Sequence, residues 1–259
     1  MGTWGTGIFQ NDIGDDVKTS YINKLKLGKN SEKALEELIS ENQEVLQDSE
    51  ENFDFWFALS SVMYDYGRLT ENVKNKVLAM IDSEEELNRW SVTDLNKRKK
   101  ELIKLREKIT SEPKPEKKVS VLKRYASNWT KNDIYYAKIT DICKSDKEGF
   151  LVFLVDDIIE YDARLEGLGD MLPVTYLKYL KSIPKNIDDI NKEAFIKRFT
   201  YDSFTGYKFL WISDGLKKAN SKFILFGNED FKRPDTNLKM SFDEKLRSMT
   251  YIGNITNFI

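Results

Sequence analysis

Four groups of residues in this 259-residue chain are of the types that chemistry uses. Asp12, Asp15 and Asp16 are carboxylates close enough in sequence to share a hard cation such as Mg²⁺ or Ca²⁺. They lack EF-hand-like spacing, and acidic residues opening a helix also have a simpler role as a cap and as partners of the macrodipole. Asp156-Asp157 follows an apolar run, where two acids could act as a pair or merely end a strand. Pro234-Asp235, followed by Asp243-Glu244-Lys245, has the composition of a metal-dependent nuclease or phosphodiesterase, in which two carboxylates hold Mg²⁺ while a lysine assists. No apolar strand carries the second half of that pattern, so the scaffold that would fix two carboxylates on one ion is missing. Lys97-Arg98-Lys99-Lys100, with Trp129, Tyr135 or Tyr136 as stacking groups, has the composition of a nucleic-acid contact.

Composition removes most other chemistry. The chain has no histidine, which excludes Ser-His-Asp and Cys-His nucleophiles, zincins and histidine-ligated deaminases. Its one cysteine, Cys143, excludes an internal disulfide and a cysteine-rich zinc site, and agrees with a reducing compartment. Gly5-Thr6-Gly7 follows no strand and precedes no Walker lysine, so it is not a phosphate loop. No run approaches the roughly 18 apolar residues of a membrane span, and the first residues lack the pattern of a signal peptide. A cytoplasmic protein with no cofactor, metal or catalytic residue is expected.

The elements that would position these residues change character along the chain. Ile13, Val17, Tyr21 and Leu25 share one helical face that stops at Gly28. A second helix carries Leu35, Leu38, Ile39, Val45 and Leu46, with Ser31 as its candidate N-cap. The most apolar helix, with Phe55, Trp56, Leu59, Val62, Met63 and Tyr66, ends at Gly67 and should be central. Thr70 can cap a helix bearing Val73, Val77, Leu78 and Ile81, and Ser83 with Glu86 has the spacing of a capping box. A long polar helix from Val92 to Ile109 follows, with Leu95, Leu102 and Leu105 inward. Residues 111–118 combine two prolines with alternating charge and predict a linker or exposed turn.

Beyond that point the period shortens. Ile134–Ile142 and Phe150–Val155 predict a hairpin across Asp146–Gly149, and further strands are expected at Ile158–Tyr161, Val174–Leu180, Tyr207–Ile212, Phe223–Phe226 and Thr250–Ile255. A helix is expected over Asp188–Phe199. The fold class is therefore α+β: an α-helical domain over residues 1–110, a linker over 111–119, and an antiparallel β-rich domain over 120–259. That second domain is a small barrel or bent sheet with one or two helices.

Charge is strongly segregated. Residues 31–95 hold 16 acidic and 5 basic residues, whereas residues 97–118 hold 10 basic and 4 acidic ones. Such a block is either a solvated helix face or a surface that steers a basic partner. A sequence pI near 5.6 argues against nucleic acid as that partner.

Trp4-Gly5-Thr6-Gly7-Ile8-Phe9-Gln10-Asn11-Asp12 places two large aromatics and two glycines near the start of the chain. It predicts an apolar plug with a helix N-cap at Asn11-Asp12, in which burial of Trp4 would stabilise the fold by about 3–5 kcal/mol. The stretch resembles the opening of a bacterial domain family of unknown function, Met-Gly-x-Trp-Gly-x-Gly-x-Phe-x-Asn-Asp, which implies a cytosolic bacterial protein without an assigned activity. The second half is similar to the mostly-β immunity proteins of bacterial polymorphic toxin systems. Asn132-Asp133-Ile134-Tyr135-Tyr136-Ala137-Lys138-Ile139 stands in place of their Gly-Asp-hydrophobic-Phe-Ala-hydrophobic phrase, with Asn132 where the family has glycine, and the spacing around Leu172-Pro173 and Ser182-Ile183-Pro184 is also similar. This resemblance implies a non-catalytic protein that neutralises a toxin, with a basic toxin domain as partner. A cytosolic adaptor or scaffold is the alternative.

Overall fold

A computed structural model describes residues 2–142, 146–162, 164–196, 198–199, 204–206, 208–210 and 222–234. The chain divides into two compact units, Met1–Leu122 and Lys123–Ile259, the first helical and the second built on a sheet. It is an α+β protein.

The helical unit contains α1 (Asp12–Lys26), α2 (Ser31–Glu41), α3 (Gln43–Gln47), α4 (Glu51–Asp65), α5 (Glu71–Ser83), a 3-10 turn (Glu85–Arg89) and α6 (Val92–Thr110). On α1, Ile13, Val17, Tyr21 and Leu25 are all buried, as their spacing requires. The helix closes with Gly28 N–H on Leu25 O and Lys29 N–H on Lys24 O, a Schellman turn that Gly28 permits at φ 85°. Two expectations shift here. Asn30, not Ser31, caps α2 by accepting from Lys33 N at 2.8 Å. The single helix expected over Leu35–Leu46 is broken at Asn42, whose side chain donates back to Leu38 O at 2.8 Å and competes with the helical ladder. α4 is the core, with every residue from Phe53 to Tyr64 buried. A helix enclosed on all sides needs no polar stripe.

After α6 the chain does not leave the unit. Residues 111–119, expected as a linker or exposed turn, lie along the C-terminal end of α4. Tyr64 Oη donates to Glu112 O at 3.0 Å, Lys117 N–H donates to Tyr66 O at 2.9 Å, and Glu116 and Lys114 pair with Arg68 and Asp65 at 2.7 and 2.9 Å. Gly67 makes this approach possible, because its φ is 64° and a Cβ there would run into the Pro115 carbonyl.

The second unit contains β1 (Asp133–Lys138), α7 (Ile139–Ile142), β2 (Phe150–Tyr161), β3 (Asp170–Leu180), α8 (Ile187–Asn191), β4 (Arg198–Phe199), β5 (Phe204–Gly206), β6 (Lys208–Leu210) and β7 (Ile224–Asn228). Among the described residues five strands form an antiparallel sheet in the order β6-β3-β2-β1-β7, and β4 and β5 pair separately. The apolar run Leu151–Val155 is continuous because both faces of β2 are covered. Leu151 and Phe153 pack with Ala137, Leu177, Ile196 and Phe223, while Val152 and Leu154 pack with Ile134, Tyr176, Ile190 and Phe231.

Among the described residues the sheet is open, with β6 and β7 at its edges, so the barrel alternative is set aside. Ile158–Tyr161 is not a separate strand but the continuation of β2 past a bulge at Asp156. The helix expected over Asp188–Phe199 is confined to Ile187–Asn191. Phe195 instead bridges Lys178, Arg198–Phe199 is strand, and adjacent Phe195 and Ile196 pack into different cores, the period-2 behaviour of a strand. The strand expected at Thr250–Ile255 lies outside the described residues. No described helix is long and apolar enough to cross a membrane.

Replacing Gly67 by Ala should lower stability by about 2–4 kcal/mol, from a left-handed non-glycine residue and a backbone clash. Urea denaturation measures the loss, and faster proteolysis within residues 111–119 would locate it.

Candidate functional site

Residues 2–12 form a tight hairpin rather than a plug. Trp4 N–H donates to Gln10 O at 3.1 Å, Asp12 N–H donates to Gly2 O at 3.2 Å, and Thr3 bridges Asn11. The Gln10 side chain folds into the loop and accepts from Gly7 N–H at 3.0 Å, and a Cβ on Gly5 or Gly7 would meet it. Asn11 caps α1 by accepting from Gly14 N–H at 2.6 Å, and a Cβ on Gly14 would strike Ile8 O. Ile8 and Phe9 are half-buried against the core. Trp4, however, is 60% exposed, which overturns its expected burial. The hairpin is held from its other side, and the indole stays at the surface.

What holds it is a buried group of four charges. Asp54 from α4 takes both Arg89 Nη1 and Nη2, at 2.8 and 2.7 Å, and Arg98 Nη2 at 3.3 Å. Glu86 Oε1 accepts from Arg98 Nε and Trp90 Nε1, each at 2.8 Å, and from Arg89 Nη2 at 2.9 Å. Arg98, with a fully buried side chain, then donates through Nη1 to Thr6 O at 3.0 Å, and Asn11 Nδ2 donates to Asp54 Oδ1 at 3.2 Å. Burial opposes the charge of Arg89, but its bonds to Asp54 and the fields of Asp54 and Glu86 outweigh this and hold it above its ordinary value. The capping box expected from Ser83 and Glu86 does not form, because the Glu86 carboxylate is committed to this network.

A cleft of about 480 Å³ opens beside the hairpin, lined by Trp4, Thr6, Gln10, Trp90, Asp94 and Lys97. A second, of about 450 Å³, lies on the Phe9 side, with Ser61, Glu101, Lys104 and Lys108. In the second cleft Lys108 is bound to Asp65 at 2.6 Å and Lys104 to Glu101 at 2.6 Å, so its cations are already matched.

The residues singled out in the sequence are mostly dispersed. Asp12 accepts from Gly2 N–H at 2.7 Å while Asp15 and Asp16 face solvent, and no metal-ligand cluster forms among the described residues. Asp156 sits in the β2 bulge, accepting from Arg233 Nε at 2.9 Å and Tyr176 Oη at 3.4 Å, while Asp157 is exposed. Cys143, Asp235, Asp243, Glu244 and Lys245 lie outside the described residues. Trp129 and Tyr135 stack on each other with centroids 4.4 Å apart, in the sheet unit rather than the helical unit that holds Lys97–Lys100. Arg98, read as part of a basic surface run, is fully buried.

The opposing charge blocks meet each other. Arg98, Lys99, Arg106 and Lys108 of the basic block pair with Glu86, Glu84, Asp82 and Asp65 of the acidic one. Glu44, Asp48, Glu50 and Glu51, at the junction of α3 and α4, have no ion pair among the described residues and cluster in sequence as an acidic stretch.

In the sheet unit, Lys178 is 1% exposed, with Nζ 2.9 Å from Ile190 O and 4.1 Å from the Phe195 centroid. Burial, and to a smaller extent Lys232, push it down to about 8 against the opposing field of Glu193. Compared with known protein families, curated proteins and solved structures, the chain matches none.

Arg98→Met should cost about 3–5 kcal/mol, because it leaves buried carboxylates short of a partner, and calorimetric unfolding would read it. For Lys178 the folded chain sheds its proton near pH 8 and the unfolded chain near 10.5, so stability rises with pH across that window. Lys178→Met should be more stable at pH 7 by about 1–3 kcal/mol, with the gap closing toward pH 10 in paired denaturation curves. A constant gap would mean that Lys178 does not titrate there.

Proposed function

We propose that the protein is a non-catalytic binding protein of the immunity type, which neutralises a cognate bacterial toxin in the cytoplasm by covering its working surface. The observation that carries this reading is Trp4, an indole 60% exposed on a hairpin held by Arg98. Exposed tryptophan is unfavourable in water, and on a rigid base it loses little entropy when covered, which is the character of an interface anchor. Every other part of the opening stretch has a use within the fold: the glycines admit Gln10, Asn11 caps α1, and Phe9 packs on the core.

Two further observations support the reading. Asn132, standing where the immunity proteins have glycine, takes φ 68°, a left-handed conformation that suits glycine and that asparagine tolerates better than most residues, which is compatible with that resemblance. The unpaired carboxylates Glu44, Asp48, Glu50 and Glu51 suit a basic toxin domain. Arg89 connects this stretch to the Trp4 cleft, donating to Glu50 O at 3.1 Å while the next residue, Trp90, lines that cleft.

The test is co-expression with the product of the adjacent gene. A stable complex and relief of that product's toxicity are expected, and Trp4→Ala should weaken the complex about tenfold or more while leaving the melting temperature unchanged. A neighbouring product that neither harms cells nor binds would end the proposal.

A further inference from the structure

The aromatic rings of the helical unit follow a pattern that Trp4 alone breaks. Phe9, Tyr66 and Trp90 reach solvent in part, and each has a cation over its face. Lys18 is 4.9 Å from the Phe9 centroid, Lys117 is 4.9 Å from Tyr66, and Arg98 and Arg89 are 5.0 and 5.4 Å from Trp90. Even the nearly buried Trp56 and Tyr64 are faced by Lys76 at 4.3 Å and Lys114 at 4.9 Å. The remaining rings, Tyr21, Phe53, Phe55 and Phe57, are buried. Among the described residues Trp4 has neither burial, nor an aromatic partner, nor a cation.

An indole face attracts a cation through its quadrupole, more strongly than the ring of Phe or Tyr. The cleft beside Trp4 also holds the Asp94 carboxylate. Lys97 occupies that carboxylate at 2.8 Å, but the two side chains are 67% and 40% exposed, an i,i+3 surface pair of little strength. A guanidinium that gained the indole as well would displace it. Residues 1–122 carry 23 acidic and 19 basic residues, so the unit's net charge favours a cationic visitor.

Resting on the reading of this protein as a binder of a basic partner, we propose that Trp4 and Asp94 receive an arginine side chain of that partner. The guanidinium lies flat on the indole and forks onto the carboxylate. Arginine rather than lysine fits because only its planar, weakly hydrated group can stack and pair at once.

The probe is acetyl-Gly-Arg-Gly-amide, titrated into the whole ¹⁵N-labelled protein and followed at the Trp4 indole N–H, assigned by its loss in Trp4→Phe. A saturable shift is expected, weakened about threefold or more by citrulline in place of arginine, by Asp94→Asn, and by about 0.5 M salt. No shift, or an equal shift with the citrulline or glutamate peptide, overturns the assignment. The titration needs no partner protein. If it fails while the adjacent gene's product still binds, only the arginine assignment falls; if it succeeds and no such product binds, the identity of the partner falls instead.

Discussion

The helical unit depends on the bidentate pairing of Arg89 with Asp54 and the convergence of Arg98 and Trp90 on Glu86. Two carboxylates and two guanidiniums cancel in charge, so the group can be enclosed at a cost that its hydrogen bonds offset. It also ties four parts of the chain together: the hairpin through Thr6 and Asn11, α4 through Asp54, the 3-10 turn through Glu86 and Arg89, and α6 through Arg98. Apolar packing alone would tolerate sliding of the hairpin over α4. A buried guanidinium that donates to Glu86, Asp54 and Thr6 at once does not, because each displaced donor would be left buried and unpaired.

The exposure of Trp4 follows from that constraint. With the loop fixed from beneath by Arg98 and filled from within by Gln10, the Trp4 arm of the hairpin stays at the surface beside an open cleft. The fold thus carries an apolar group at its surface as a consequence of how its polar groups are satisfied inside. A surface that binds needs this combination, since rigidity beneath an exposed aromatic limits the entropy lost when a partner covers it.

The sheet unit places its polar groups differently. Asp156 leaves the ladder at a bulge and meets Arg233, Asp170 is buried against Arg164 at 2.6 Å and Tyr125 N–H at 2.7 Å, and Lys178 is buried with a carbonyl and an aromatic face. The first two are carboxylates met by donors that favour their charge, and Asp170 is accordingly held below its ordinary value by Arg164. Lys178 has no such partner at bonding distance among the described residues, and its proton is the less firmly held.

The sequence by itself determined the α+β class, the apolar faces of α1, α4, α5 and α6, the stops at Gly28 and Gly67, and the buried run Leu151–Val155 of β2. Each of these rests on a local period or on a backbone conformation that few residues adopt. What only the tertiary structure decided was the fate of individual polar and aromatic side chains. Arg98 reads in sequence as one of four consecutive surface cations, yet the turn of α6 aims it inward at Glu86, a residue twelve positions away. Glu86 has the spacing of a capping residue, but two guanidiniums and an indole claim it first. Trp4 has the composition of a core residue and is left outside because Gln10 and Arg98 fill and fix the loop that would have carried it in. Hydrophobic period is a property of neighbours along the chain, whereas burial of a charge is settled by partners that the fold brings from elsewhere.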